Sequence, residues 1–499
     1  MTEGRRRALA LLAGIGVALG QVPFSLVPLA LAALGLAGWL AMRSSTAWRA
    51  AWIGLAAGTG YFGTTLHWIV APFLVEPEVY GWMAPFAFVF TAVGFGLFWM
   101  LAFGVARRVA ANGWRFALAF AGALAGAEAL RALILTGFPW VLLGTVWSEG
   151  PGAQLGAFVG PFGLTLLVAG IGGGLAALGS RPVSLAGLVL AWTVPIGLGA
   201  LRPPAPPVAD DAATVRLVQP NAPQDEKWDP VLSQEFFQRA LEFTAAGAVP
   251  DLVIWPETSV PFLIETGQGP AIDRMAMAAR GARLVFGAQR LGDGWRYFNS
   301  ALVLGPDGQI ADSYDKYHLV PFGEYVPFGD FAARFGIRGL AASQGFGYSA
   351  GPGLRTIDLG PLGNPLPLIC YEAIFPEEVG AVSPRPDWLM QITNDAWFGT
   401  FAGPQQHLAI TRMRAIEQGL PMMRAANTGI SAAIDAGGRV LASIPLGEAG
   451  YLDVPLPPAR SPTLYARTGD WPAWGAMLLS LLAAGWLRPK RLEAGGRPR

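Results

Sequence analysis

The 499-residue chain holds one cysteine, Cys370, so no intramolecular disulfide can form and a free thiol is kept for some other reason. Charge is scarce as well: Asp, Glu, Lys and Arg make up 14% of the residues, against about 25% in a soluble domain. From Ala8 to Leu201 the only acidic side chains are Glu76, Glu78, Glu128 and Glu149, a depletion that suits lipid better than water. Lysine is nearly missing, with Lys227, Lys316 and Lys490 the only three among 35 basic residues. Those 35 face 34 acidic residues, with no basic run long enough to follow a phosphate backbone, which argues against nucleic acid as a partner. The three histidines, His67, His318 and His407, are scattered, and no HExxH or Cys/His cluster occurs, so no metal and no cofactor are expected.

What is abundant is apolar sequence, 53% of the chain. Apolar stretches near 8–22, 24–42, 50–70, 82–106, 116–135, 160–179, 183–201 and 471–487 approach the ~20 residues that a bilayer core requires. The first two are separated only by Gln-Val-Pro and could form a re-entrant pair. "RRRALALLAGIGVALG" could also open a signal peptide, but further spans follow at once and no small-residue cleavage site precedes a polar segment. Arginines orient the spans: Arg5–Arg7, Arg43 and Arg49, Arg107, Arg108 and Arg115, and Arg181 all fall in alternate loops. The intervening loops, such as "APFLVEPEVYG" and "WSEGPGAQ", carry none, so the basic side is expected to be cytoplasmic and the polar region after the seventh span extracytoplasmic. The expected organisation is a membrane domain of about seven helices over 1–201, a stiff Pro-rich linker over 202–209 and a polar domain over 210–459. A final span with a basic cytoplasmic tail follows over 460–499.

In the polar domain "TVRLVQPN", "DLVIWPE", "ARLVFGAQR", "ALVLGPDG", "PLPLICYE" and "DWLMQITND" read as strands. They alternate with helical segments at 231–246 and "QQHLAITRMRAIEQ", which predicts an α/β layered domain with its site at strand ends. Three such ends carry chemistry: Glu257 in "VIWPETS", Lys316 and Glu324 in "YDKYHLVPFGEYVPF", and Cys370 with Tyr371 and Glu372 in "LICYEAIF". Alone, each has a bland reading as a helix cap, a solvated turn lysine or a core thiol. Together they suit acyl transfer. A thiol of ordinary pKa near ~8.5 needs a base, which Glu257 supplies, and a compact ammonium beside the reacting carbonyl, where an Arg fork would not fit. A Cys-His arrangement is the competing reading; His407 looks structural, and a supporting role for His318 stays open. Glu128 and Arg131, i and i+3 inside the fifth span, suit either a helical ion pair or a lipid-headgroup contact.

The motifs "WPE", "DKYHLVPFGEYVPF", "CYE", "ITNDAWFG" and "QQHLAITRMRAIEQGLPMMRAANTGIS", in this order, resemble the nitrilase superfamily. With "LTGFPWVLLG" at 135–144, the chain resembles, over nearly its whole length, the apolipoprotein N-acyltransferase family within it. The resemblance implies a membrane domain plus an αββα nitrilase-like sandwich, with Glu257 as general base, Lys316 as transition-state stabiliser and Cys370 as nucleophile. It gives Glu324, Tyr371 and Glu372 supporting roles and Trp228 a part in substrate binding. It further implies ping-pong transfer from a phospholipid donor to the α-amine of a diacylglyceryl-cysteine, in a bacterial inner membrane with both termini cytoplasmic and the catalytic domain periplasmic; the expected partners are those two substrates and the lipid bilayer, with the chain itself expected to be a monomer. The alternatives are a membrane-anchored amidase that uses water as acceptor and a transporter whose cysteine is inert. The Gly- and Ala-rich "RFGIRGLAASQGFGYSAG" is the expected lid.

Overall fold

The computed structural model describes residues 1–179, 183–265, 268–325 and 347–486. Most of the expected lid segment and the basic tail lie outside these described residues.

Apolar helices occupy the first 200 residues: α1 (Glu3–Ala18), α2 (Val27–Met42), α3 (Ala47–Thr65), α4 (Ala84–Val109), α5 (Gly113–Leu133), α6 (Gly156–Leu178) and α7 (Val183–Ala200). Continuous stretches over Pro77–Val109, Gly113–Leu133, Pro151–Leu178 and Val183–Ala200 are long and apolar enough to cross a membrane, so the chain is a multi-pass membrane protein. The stretch expected near 50–70 stops being α-helical at Thr65. Short 3-10 turns replace it over His67–Leu74, where Pro72 interrupts the helix and Trp68 packs on Phe398 of the polar domain.

The polar domain is a sandwich of two sheets. One contains β1 (Thr214–Gln219), β2 (Leu252–Ile254), β3 (Leu263–Ile264), β4 (Arg283–Gly292), β5 (Arg296–Leu304) and β6 (Ile310–Asp315). The other contains β7 (Leu366–Ile369), β8 (Leu389–Thr393), β9 (Met422–Ala426), β10 (Ser431–Ile434) and β11 (Val440–Ile444), and β12 (Gly450–Pro455) returns to the first sheet beside β1. Side chains alternate as the pleat requires: Leu252 and Ile254 join the core between the sheets with Ile369, Met390 and Met423, while Val253 faces the outer layer. Both faces of these strands are covered, which is why they read as unbroken apolar runs. Helices α8 (Leu232–Ala245) and α9 (Pro270–Ala279) cover the first sheet through Phe237 and Met275. Helices α10 (Pro376–Ala381) and α11 (Gly403–Gln418) cover the second through Val379 and Ala415. The layers are therefore αββα. The last apolar helix, α12 (Trp471–Trp486), returns to the bundle and packs Ala473 and Met477 among small residues of α5.

Bundle and sandwich share one apolar core, in which Tyr371, Ile374, Phe375, Ile410 and Met413 pack with residues of the bundle helices. A single side chain makes much of the polar junction. Gln406, at the start of α11, accepts from the indoles of Trp68 (3.1 Å) and Trp140 (2.9 Å). Its amide donates to the carbonyls of Val22 (3.4 Å) and Thr65 (3.1 Å). Glu128 and Arg131 form a fully buried ion pair at 2.7 Å. Trp99 donates to Glu128, and Arg131 donates to the carbonyls of Phe138 and Trp140, so the pair ties the 137–140 segment to α5.

Candidate active site

Three chain turns converge at the strand ends. The first follows β2, where Glu257 is 6% exposed and Thr258 has φ +45°, a left-handed conformation that costs a β-branched residue on the order of 1–3 kcal/mol. This turn lies directly on β4. A Cβ on Gly287 would come within 2.5 Å of the Pro256 oxygen and the Thr258 nitrogen, so only glycine leaves room for it. The second turn follows β6 and carries Lys316 and Glu324. The third follows β7, where Cys370 has φ +52° and opens a short 3-10 turn. This strained bend holds the Cys370 thiol at the strand end.

Lys316 Nζ reaches Glu324 Oε2 at 2.9 Å and Glu257 Oε1 at 3.4 Å, with the ammonium almost completely buried. Burial works against that charge. The carboxylates of Glu324 and Glu257 outweigh it and hold Lys316 above the usual lysine range, so it stays cationic. Asn299 Nδ2 bridges the two acids, donating to Glu257 Oε1 (2.7 Å) and Glu324 Oε1 (2.9 Å). The second oxygen of Glu257 accepts from the Asn394 backbone N–H at 2.9 Å, and that of Glu324 from Val320 N–H at 2.8 Å. A second ammonium, not anticipated as a site residue, lies alongside. Lys227 Nζ donates to the Glu257 carbonyl (3.2 Å) and to Thr258 Oγ1 (2.8 Å). Burial pushes it down to about 8 against the pull of Glu257 and Cys370. Two carboxylates thus face two ammoniums, and the site is close to neutral.

Burial, and after it the Glu257 carboxylate, raise the Cys370 thiol well above its ordinary range despite Lys316. The resting Cys370 side chain is therefore a neutral thiol, and any reaction through its sulfur needs a base.

The remaining expected residues divide by role. Glu372 Oε1 accepts from Tyr314 OH (2.6 Å) and the Tyr317 N–H (2.8 Å), and Oε2 from Ile369 N–H (2.7 Å), so it ties the Cys370 turn to the Lys316 turn. Burial lifts its carboxyl to about 7 in spite of these donors. Tyr371 points the other way and donates to the Gly137 carbonyl (3.1 Å), docking the Cys370 turn on the bundle. Trp228 is about half exposed at the rim, with Lys227 Nζ 5.5 Å from its ring centre. His318 turns aside, paired to Glu378 at 2.7 Å and stacked on Phe375 at 3.7 Å. His407 is buried beneath the site, between Asp395 (2.8 Å) and the Cys370 carbonyl (3.2 Å), in a network that Arg424 and Gln391 complete.

Two family models match the chain: "apolipoprotein N-acyltransferase N-terminal domain" over residues 13–174 and "carbon-nitrogen hydrolase" over residues 214–462. An apolipoprotein N-acyltransferase of Bradyrhizobium diazoefficiens is 38% identical over 97% of this chain and 95% of its own. One of Caulobacter vibrioides is 37% identical over 99% and 96%. Among solved structures, an amidase from Nesterenkonia sp. AN1 aligns over 51% of this chain and 94% of its own, at 21% identity and a TM-score of 0.37.

Proposed function

The chain belongs to the apolipoprotein N-acyltransferase family and is an acyltransferase of lipoprotein maturation; from that premise we propose that Cys370 carries the acyl group as a thioester between a membrane phospholipid and the α-amine of a diacylglyceryl-cysteine. The observation that carries this reading is the buried Glu257–Lys316–Glu324 cluster beside a neutral thiol, on a turn that Tyr371 fastens to the membrane bundle.

Charge balance suggests how the steps run. With Glu257 and Glu324 ionised, Lys316 is already neutralised and cannot by itself make a thiolate. When Cys370 attacks the ester carbonyl, Glu257 takes the thiol proton, and the Lys316 charge that Glu257 had balanced becomes free for the developing oxyanion. Collapse expels the lysophospholipid alkoxide, which takes the proton back from Glu257. In the second half-reaction the incoming amine attacks the thioester, Glu257 accepts its proton, and Cys370 leaves as a thiolate beside Lys316 and takes that proton from Glu257. Glu324 and Asn299 hold the pair in place, Glu372 and Tyr371 fix the nucleophile turn, and Trp228 meets substrate at the rim.

Membrane anchoring explains the architecture, because both substrates are held in lipid. The arginines at positions 43, 49, 107 and 108 lie at the end of the bundle away from the sandwich, where Arg107 bonds the Ser44 carbonyl. By the positive-inside rule that end is cytoplasmic and the sandwich periplasmic. The test is enzyme in nanodiscs with acyl-labelled phospholipid and a diacylglyceryl-peptide. Wild type should move label to the peptide, whereas Cys370→Ala and Glu257→Gln should not. Label transfer by Cys370→Ala would overturn the thioester route.

A further inference from the structure

At the far end of α11 from the active site, a cavity of about 430 Å³ opens between bundle and sandwich. Phe158 and Ala157 at the start of α6, Arg202 of the linker, and Arg460, Ser461 and Leu464 line it. The surroundings mark the lipid–water boundary. Arg202 lies just beyond the last residue of α7, Phe158 and Leu464 are about half exposed, and Trp471, which opens α12, is 75% exposed.

Its two guanidiniums are poorly matched by protein. Arg202 donates to Gln154 Oε1 at 2.7 Å and Arg460 to the Pro203 carbonyl at 2.6 Å, both neutral acceptors, and the buried Arg460 Nε has none among the described residues. The neighbouring carboxylate, Asp435, is engaged by its own turn through the N–H groups of Gly437 (2.9 Å) and Arg439 (3.0 Å) and by the Arg439 guanidinium (3.3 Å). Burial, and then the neighbouring Arg460, lower Arg202 to about 10 against the pull of Asp435, which leaves it cationic at neutral pH. Two cations over an apolar wall, at the level where helices leave the bilayer, have the chemistry of a phosphate headgroup site.

We propose that this cavity binds the phosphate of an anionic membrane lipid, Arg202 and Arg460 holding the phosphate and Phe158 and Leu464 packing on its glycerol and first acyl carbons. The lipid is a resident ligand and not the acyl donor. His407 abuts the Cys370 carbonyl, whereas Arg460 N–H bonds the Gly419 carbonyl, about 18 Å further along α11 at the helical rise.

The test is full-length enzyme in nanodiscs of phosphatidylcholine with or without phosphatidylglycerol, followed by native mass spectrometry and thermal unfolding. Wild type should retain phosphatidylglycerol and melt higher in its presence. R202Q/R460Q should melt like wild type in phosphatidylcholine, bind phosphatidylglycerol roughly thirtyfold more weakly and lose the added stabilisation. Arg202→Gln alone, which leaves the Arg460 bond to Pro203 in place, should give an intermediate loss. Undiminished retention by either variant would overturn the proposal. So would displacement of the lipid by millimolar inorganic phosphate alone, which would assign the cavity to a soluble anion.

Discussion

Gln406→Leu tests whether the sandwich is fixed to the bundle as described. Leucine keeps most of the apolar contact but removes the acceptor shared by Trp68 and Trp140, which are 5% and 0% exposed, and the donors to Val22 and Thr65. Two buried indole N–H groups left without an acceptor cost about 1–3 kcal/mol each, and the two longer carbonyl bonds add roughly 1 kcal/mol together. The sum is about 3–7 kcal/mol, which for a chain of this size lowers the melting temperature by roughly 3–7 °C. The assay is thermal unfolding of purified enzyme, with Gln405→Leu as control because that amide makes only a 3.4 Å bond to the Thr400 carbonyl. Acyl-enzyme formation from bilayer phospholipid should also fall further than alkylation of Cys370 by a small soluble reagent. Wild-type melting of Gln406→Leu, or equal losses in both variants, would refute the reasoning.

Lys316→Arg should lower acyl-enzyme formation by at least about a hundredfold, since the fork cannot sit between Glu257 and Glu324 and still meet the oxyanion; near-normal rates in a single-turnover assay would show that charge alone suffices. Gly287→Ala should displace the Glu257 turn and lower turnover while the enzyme remains folded by circular dichroism, and unchanged turnover would show that the turn can yield. Asp395 is raised by burial but lowered more by Arg424 and His407, to about 2. Its contribution of roughly 2 kcal/mol should therefore be complete above the unfolded value near 4 and lost as pH falls from there through 2. Asp395→Asn should be less stable at pH 7 and lose that part of the acid dependence, and parallel acid unfolding curves for the two proteins would contradict it.

The residues legible in the sequence were those whose type was rare for their surroundings. A lone cysteine, an acid and a lysine, each at the end of an apolar run, stand out because strand interiors exclude charge and because this chain otherwise places positive charge as arginine. The same rarity applied to Lys227, and its position beside Glu257 could have been suspected on that ground. Asn299, Gly287 and Gln406 carried no such mark. Each gains meaning only from partners brought near by folding, such as the paired acids around Asn299, the Glu257 turn over Gly287 and the two indoles on Gln406. Run length located the apolar helices but not the end of α3, because the 3-10 turns after Thr65 are shaped by contact with Phe398. Spacing allowed Glu128 and Arg131 either a headgroup or each other, and the carbonyls of Phe138 and Trp140 complete the second arrangement.

The most direct test of the central claim is intact-protein and peptide mass spectrometry after incubating the enzyme with phospholipid and no acceptor. The account predicts a gain of one acyl chain on the peptide containing Cys370, discharged when a diacylglyceryl-peptide is added. Release of free fatty acid with no adduct, or an adduct on any other residue, would contradict it.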